Sequence, residues 1–193
     1  YLNGQPSQDY TAITGKTTLE DLVFHGDAVP PVYGSLRQSF SYGKISLSFN
    51  ISGRFNYYFR RSTINYANLM VSWVGHPDYD KRWQQPGDEL NTNVPSMIYP
   101  ANAQRERVYS QSEVTVERGD HIRLQDINLG YSLKRNSFKK SDRNKLPFRQ
   151  LDLFLYANNL GILWRKNNAG LDPDYGNNIP AAKSLAAGIR ANF

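Results

Sequence analysis

The sequence predicts an all-β fold of antiparallel strands. Three observations predict it: apolar and polar residues alternate at a period of two, helical periodicity is almost absent, and the alternating runs are joined by connections that switch between short and long. The clearest run is 45–60. Ile45, Leu47, Phe49, Ile51, Phe55, Tyr57 and Phe59 take one face, Ser46, Ser48, Asn50, Ser52, Arg54, Asn56 and Arg60 the other, and Gly53 keeps the register on the apolar side. Over 34–42, Leu36, Phe40 and Tyr42 alternate with Arg37, Ser39 and Ser41, and Tyr42-Gly43-Lys44 supplies the tight turn of a hairpin. A third strand is expected over 122–133, where Ile127, Leu129, Tyr131 and Leu133 alternate with Asn128, Gly130 and Ser132. A fourth, 149–159, sets Leu151, Leu153, Leu155 and Ala157 against Asp152, Phe154, Tyr156 and Asn158, with two aromatics on its polar face. The fifth, 184–193, sets Leu185, Ala187, Ile189, Ala191 and Phe193 against Ser184, Ala186, Gly188, Arg190 and Asn192.

Composition narrows the setting. The 193 residues are 39% hydrophobic and include 13 Tyr and 9 Phe, a mixture that suits strands and wet interfaces better than a helix bundle. The net charge of +6 is scattered. Only 134–145 is strongly basic, and it lies among Ser, Asn and Asp between two strand-like runs, as a solvated turn would, so no nucleic-acid surface is expected. The absence of cysteine excludes disulfides and thiolate metal sites. No run approaches the ~18 apolar residues of a membrane helix, and 1–10 has no basic and apolar signal segment.

Alternating strands can bury their apolar face in a soluble sandwich or turn it outward to lipid in a membrane barrel. Connection lengths separate the two. A sandwich wants turns at about 8–12-residue spacing, whereas long connections are expected here over 61–119 and 160–183. Short, long, moderate, long is the parity of a barrel with short periplasmic turns and long extracellular loops, and strands of ~10 residues suffice for a tilted crossing. Five strands cannot enclose a lumen, so the chain is expected to be part of a large transmembrane β-barrel and a piece of a longer protein, its C-terminal part by the resemblance that follows. Arg54, Asn56, Arg60, Asp152, Asn158 and Arg190 are then lumen-facing, and the apolar faces meet outer-membrane lipid.

Three stretches, in order, resemble the closing part of the SusC/RagA-like TonB-linked transporters. The first is Gly26-Asp27, Pro30-Pro31, Tyr33-Gly34-Ser35-Leu36 and Phe40-Ser41-Tyr42, followed by Ile45-Ser46-Leu47-Ser48-Phe49. The second is Arg82-Trp83, Pro86-Gly87-Asp88 and Val94-Pro95. The third runs from Val116-Glu117-Arg118-Gly119-Asp120 through Ile122 to Tyr131, followed by Leu151 to Leu160 and Gly170-Leu171-Asp172-Pro173. The resemblance implies an active importer of oligosaccharides or oligopeptides in the cell outer membrane of a Gram-negative bacterium. It implies a SusD-like surface lipoprotein as partner, coupling to TonB through an N-terminal part absent from this sequence, and barrel-assembly machinery that reads Phe193 as an assembly signal.

The expected loops carry the candidate binding residues. Trp73, Tyr79, Asp80, Trp83 and Tyr99, with His76 and Asp78 among them, form an aromatic and polar mixture suited to a glycan or peptide solute or to a protein partner, and equally suited to packing the loop on itself. Trp164, Asp172 and Tyr175 do the same for the second loop. His76 to Asp80 and Asp172-Pro173-Asp174 lack full ligand spacing, so neither metal nor cofactor is expected. No hydrolase, zinc-protease or nucleotide-binding motif occurs, and His25, His76 and His121 lie far apart, so no catalytic residue is expected. A lectin-like soluble sandwich and a passive porin are the alternatives.

Overall fold

The computed structural model describes residues 2, 3, 5, 7–134, 148–176 and 178–193; the basic stretch, from 135 on, lies outside them. The strands are β1 (Val32–Tyr42), β2 (Ile45–Phe55), β3 (Tyr58–Arg60), β4 (Val116–Arg118), β5 (His121–Lys134), β6 (Gln150–Arg165) and β7 (Ser184–Asn192). Short helices α1 (Tyr10–Lys16), α2 (Tyr66–Ser72) and α3 (Ala103–Gln111) accompany them. The chain divides into two units, one of Val29–Tyr57 with Gly119–Phe193 and one of Tyr1–Ala28 with Tyr58–Arg118. Antiparallel sheet dominates, and the fold class is all-β.

The first unit is a five-stranded antiparallel sheet in the order β1-β2-β5-β6-β7, so β1 and β7 are its edges. Its hairpin pairs Val32 with Phe55 through Tyr42 with Ile45 without a slip. Gly43 sits in the turn at φ +59°, a conformation that a Cβ would strain. Cross-strand rows keep apolar residues together: Phe40, Leu47, Leu129, Leu155 and Ala187 form one row, and Tyr42, Ile45, Tyr131, Leu153 and Ile189 the next. These side chains are not covered. Phe40 is 54% exposed and Ile189 72%, and Tyr57 is the single buried apolar residue of this unit among the described residues. The opposite face carries the rows Arg37, Asn50, Asp126, Asn158, Ser184 and Ser39, Ser48, Asn128, Tyr156, Ala186.

Phe154 sits on this polar face because its neighbours make room: Gly130 and Gly188 flank it in register. A Cβ at Gly188 would overlap the Phe154 ring.

Period-two alternation over 45–60 predicts one strand, but the structure divides it. Asn56 adopts a left-handed conformation, φ +64°, which Asn tolerates better than most residues, and its backbone N–H donates to the Asp120 carboxylate at 2.5 Å. β2 therefore stops at Phe55, and β3 pairs with β4 in a separate two-stranded sheet. Tyr57, expected on the lipid side, is 5% exposed and its hydroxyl lies 3.3 Å from His121 Nδ1. β6 runs past the expected end at 159, so Trp164 is in a strand opposite Ile122 and not in a loop. β5 carries a bulge at Gln125, which both neighbouring strands skip. The apolar parity consequently switches from Ile122 and Leu124 to Ile127 and Leu129.

The second unit replaces the expected long loop 61–119 with ordered structure. Ile64, Tyr66, Val94 and Tyr109 form its core, with Leu69, Met70, Tyr79 and Ala101 against them. Asn65 caps α2 by accepting from the Asn68 N–H, and Asn102 caps α3 by accepting from that of Arg105. Beneath them, Arg61 donates to both Asp78 oxygens at 3.1 and 3.0 Å and to the Tyr109 hydroxyl at 2.9 Å. Among the described residues no helix is long and apolar enough to cross a membrane.

Candidate functional site

One end of the polar face gathers a charged cluster. Arg54 is the penultimate residue of β2, and its register partner is His121; the Ser52 and Arg123 pair follows. The bulge at Gln125 puts Arg123 and His121 on the face that carries Asp126. Across from them, the segment after β6 makes a tight turn over Asp172–Gly176. The Gly176 N–H donates to the Asp172 carbonyl at 2.7 Å, and the Asp174 N–H donates to Asp172 Oδ1 at 3.0 Å.

Both carboxylates of this turn point at the cationic side chains. Arg123 Nη2 donates to Asp172 Oδ1 at 2.5 Å and its Nε to Asp174 Oδ2 at 3.1 Å. Arg54 Nη1 donates to Asp174 Oδ1 at 2.5 Å. His121 Nε2 lies 3.3 Å from Asp174 Oδ2, while its Nδ1 lies 2.9 Å from the Gly119 carbonyl oxygen. Burial pushes the Asp174 carboxyl up, but the hydrogen bond from His121 and the charges of His121, Arg54 and Arg123 outweigh it and hold it below the ordinary carboxylate range. The Arg123 side chain is only 8% exposed, so these carboxylates compensate the hydration its charge lacks, whereas Arg54 is half exposed. Tyr175 completes the cluster, with the Arg123 guanidinium 5.6 Å from its ring centre.

The other expected lumen residues separate. Asp152 accepts from the Gln150 amide at 2.9 Å and stands opposite Ser132 and Arg190 on the polar face, where Asn158 also lies. Asn56 lies past the end of β2, which stops at its left-handed backbone. Arg60 belongs to β3 in the other unit, donating to the Ser112 carbonyl at 2.8 Å and Thr115 Oγ1 at 2.9 Å, because the chain turns away at Asn56.

Of the loop aromatics, Trp83 donates to Glu89 Oε2 at 3.0 Å, and Tyr79 packs on the core with the Arg82 guanidinium 3.9 Å from its ring centre. Both order their own segment. Trp73 and Tyr99 are free, at 87% and 85% exposed, and Asp80 is exposed. Phe193 follows β7 and is exposed. Among the described residues no three His, Asp or Glu groups are placed to hold a metal.

Sequence reasoning missed Arg123, His121 and Asp174. The parity switch around Gln125 was the signal for the first two; Asp174 lies between two expected binding residues and reads in the sequence only as part of a metal loop, because its partners lie on distant strands.

A sheet with one polar and one uncovered apolar face is the kind of wall from which large β-barrels are built. Solved structures share this fold. The chain is similar over its whole length to a chain of the RagAB peptide transporter, with TM-score 0.63 and 20% identity. It is similar over 92% of its length to a chain of the RagAB peptide importer in the open-open state, with TM-score 0.58 and 20% identity. It is similar over its whole length to one in the closed-closed state, with TM-score 0.59 and 21% identity. It spans 19%, 20% and 21% of the length of those three chains. No family model and no curated protein matches the sequence.

Proposed function

We propose that the chain is the C-terminal wall segment of an outer-membrane active importer of the SusC/RagA-like, TonB-dependent kind, and that it carries out no catalytic step. The observation that carries this reading is the uncovered apolar face of the five-stranded sheet. In water, rows such as Phe40 to Ala187 would be a large exposed patch of the kind soluble proteins avoid. Against acyl chains the same rows are at their most stable, and the polar rows behind them line a lumen. The likeness of nearly the whole chain to RagAB chains supports the same reading.

In this reading the solute is an oligopeptide or an oligosaccharide, with peptides the first to test. A SusD-like surface lipoprotein covers the mouth, and TonB acts through an N-terminal plug region. Trp73 and Tyr99, exposed in the unit between β2 and β5, are the contacts offered to lipoprotein or solute. The test uses the full-length protein in its own host. It should fractionate with the outer membrane, and its deletion should abolish growth on a peptide or glycan source, restored by the intact gene. Recovery in the soluble fraction would remove the proposal.

A further inference from the structure

We propose that Arg54, Arg123 and His121 form a carboxylate-binding site for incoming solute, held in the meantime by the chain's own Asp172-Pro173-Asp174 turn. This deepens the importer reading and rests on it.

Donors and acceptors come from different parts of the fold. The three donors are fixed on neighbouring wall strands, β2 and β5, by ladder pairing. The two carboxylates belong to a connection between β6 and β7. That connection has little apolar anchorage: Ile179 is 92% exposed, and Leu171, Pro173 and Tyr175 are only half-buried. Asn167 holds Leu171 at the base of the turn, but the turn's attachment to the wall strands is ionic and hydrogen-bonded, made of carboxylates that an acidic solute also presents.

The wall side cannot be left empty. Arg123 stays charged at any accessible pH, so lifting the turn away would leave its guanidinium and that of Arg54 without the Asp174 carboxylate they share. The turn leaves as another carboxylate arrives, which makes the event an exchange and not a simple opening. Arg54, half exposed, offers the approaching anion its first contact. The resident is itself an Asp-Pro-Asp peptide, so the matching solute carries two carboxylates at that spacing. An acidic oligopeptide does so, and a uronic-acid oligosaccharide presents the same groups on a different backbone.

A tethered competitor acts at an effective concentration of the order of millimolar, so neutralising it should tighten acidic-solute binding by about tenfold or more. The experiment uses the full-length transporter in detergent, titrated with acetyl-Asp-Pro-Asp-Tyr-amide, with its Asn-Pro-Asn counterpart, and with trigalacturonate. Asp172→Asn combined with Asp174→Asn should raise affinity for the acidic peptide, and further adding Arg123→Gln should abolish that gain. A gain for trigalacturonate as well shows that the carboxylates alone are read; a gain for the acidic peptide alone shows that the peptide backbone is read with them. Equal affinities of the wild type and the double variant for the acidic peptide, or an equal gain with the Asn-Pro-Asn peptide, overturn the inference. Should the double variant fail to assemble, Arg54→Gln decides: it must weaken acidic-peptide binding selectively, and a uniform effect on both peptides counts against the site. Uptake by the wild type separates the two levels. A transporter that imports neither peptides nor saccharides removes the importer reading, whereas one that imports them without these differences removes only this inference.

Discussion

At Gly188 an added methyl group would meet the Phe154 ring, which lies across the β6 and β7 pairing on the polar face. The conflict is steric: Phe154 is held by ladders on both sides in β6, and Gly188 by its pairing with β6 alone in the edge strand β7. Gly188→Ala should therefore destabilise the sheet by about 1–3 kcal/mol, the usual cost of overpacking. Phe154→Ala introduced with it should recover part of the loss, a coupling that urea unfolding followed by gel mobility of the full-length protein would measure. Equal loss in the single and double variants would show that the glycine serves something other than the ring. The alternation marked Phe154 as an exception, but its cause was not legible. That needed the register, which places two glycines beside it from strands far away in sequence.

Among the elements, β5 holds the most information per residue. Its bulge at Gln125 turns the side-chain parity over, so His121, Arg123, Asp126 and Asn128 share the polar face while Ile122, Leu124, Ile127 and Leu129 share the other. Single cysteines along 121–129 in the full-length protein should react with a water-soluble maleimide in that broken pattern, with a lipid-soluble probe taking the complement. An unbroken alternation through 125 would mean that Arg123 does not face the Asp172 turn. Strands such as β1 and β7 were legible because apolar residues recur at most alternate positions, with Gln38 the exception in β1, and the Gly43 turn bounds β1. The end of β2 was not, because Asn56 occupies a position where the alternation continues while the backbone bends away. The helices between β3 and β4 are too short to impress a 3.6-residue period, and their stability comes from Tyr66 and Tyr109 in a shared core.

For the whole molecule, the apolar rows make a prediction that a soluble fold would not. Leu129 lies mid-strand, 42% exposed, between Leu47 and Leu155. Leu129→Arg should cost about 2–4 kcal/mol if that face meets the bilayer centre. Ser48→Arg, on the opposite face, should cost much less. Heat-modifiable migration of the folded protein, followed against temperature, distinguishes them; similar midpoints for the two variants would place the apolar face elsewhere. The two-faced character of the sheet was legible from sequence, and so was the polar position of Arg54. The pairing of Arg54 with Asp174 was not, since charge alternation says nothing about which loop carboxylate returns to which strand.

The short sheet of β3 with β4 also bears on the order in which the wall can form. β2 must find β5 across the intervening segment, and the entropy of closing a loop grows with its length, so such a pairing forms late and slowly on its own. But Tyr58–Arg60 pairs with Val116–Arg118 within the inserted unit, only a few residues from Phe55 on one side and His121 on the other. Once the insert has folded and clasped its own stems, the search is shortened to that of a hairpin. That unit would then act as a kinetic template for the five-stranded sheet, and lesions in its Tyr66 and Tyr109 core would show themselves as slow pairing of β2 with β5.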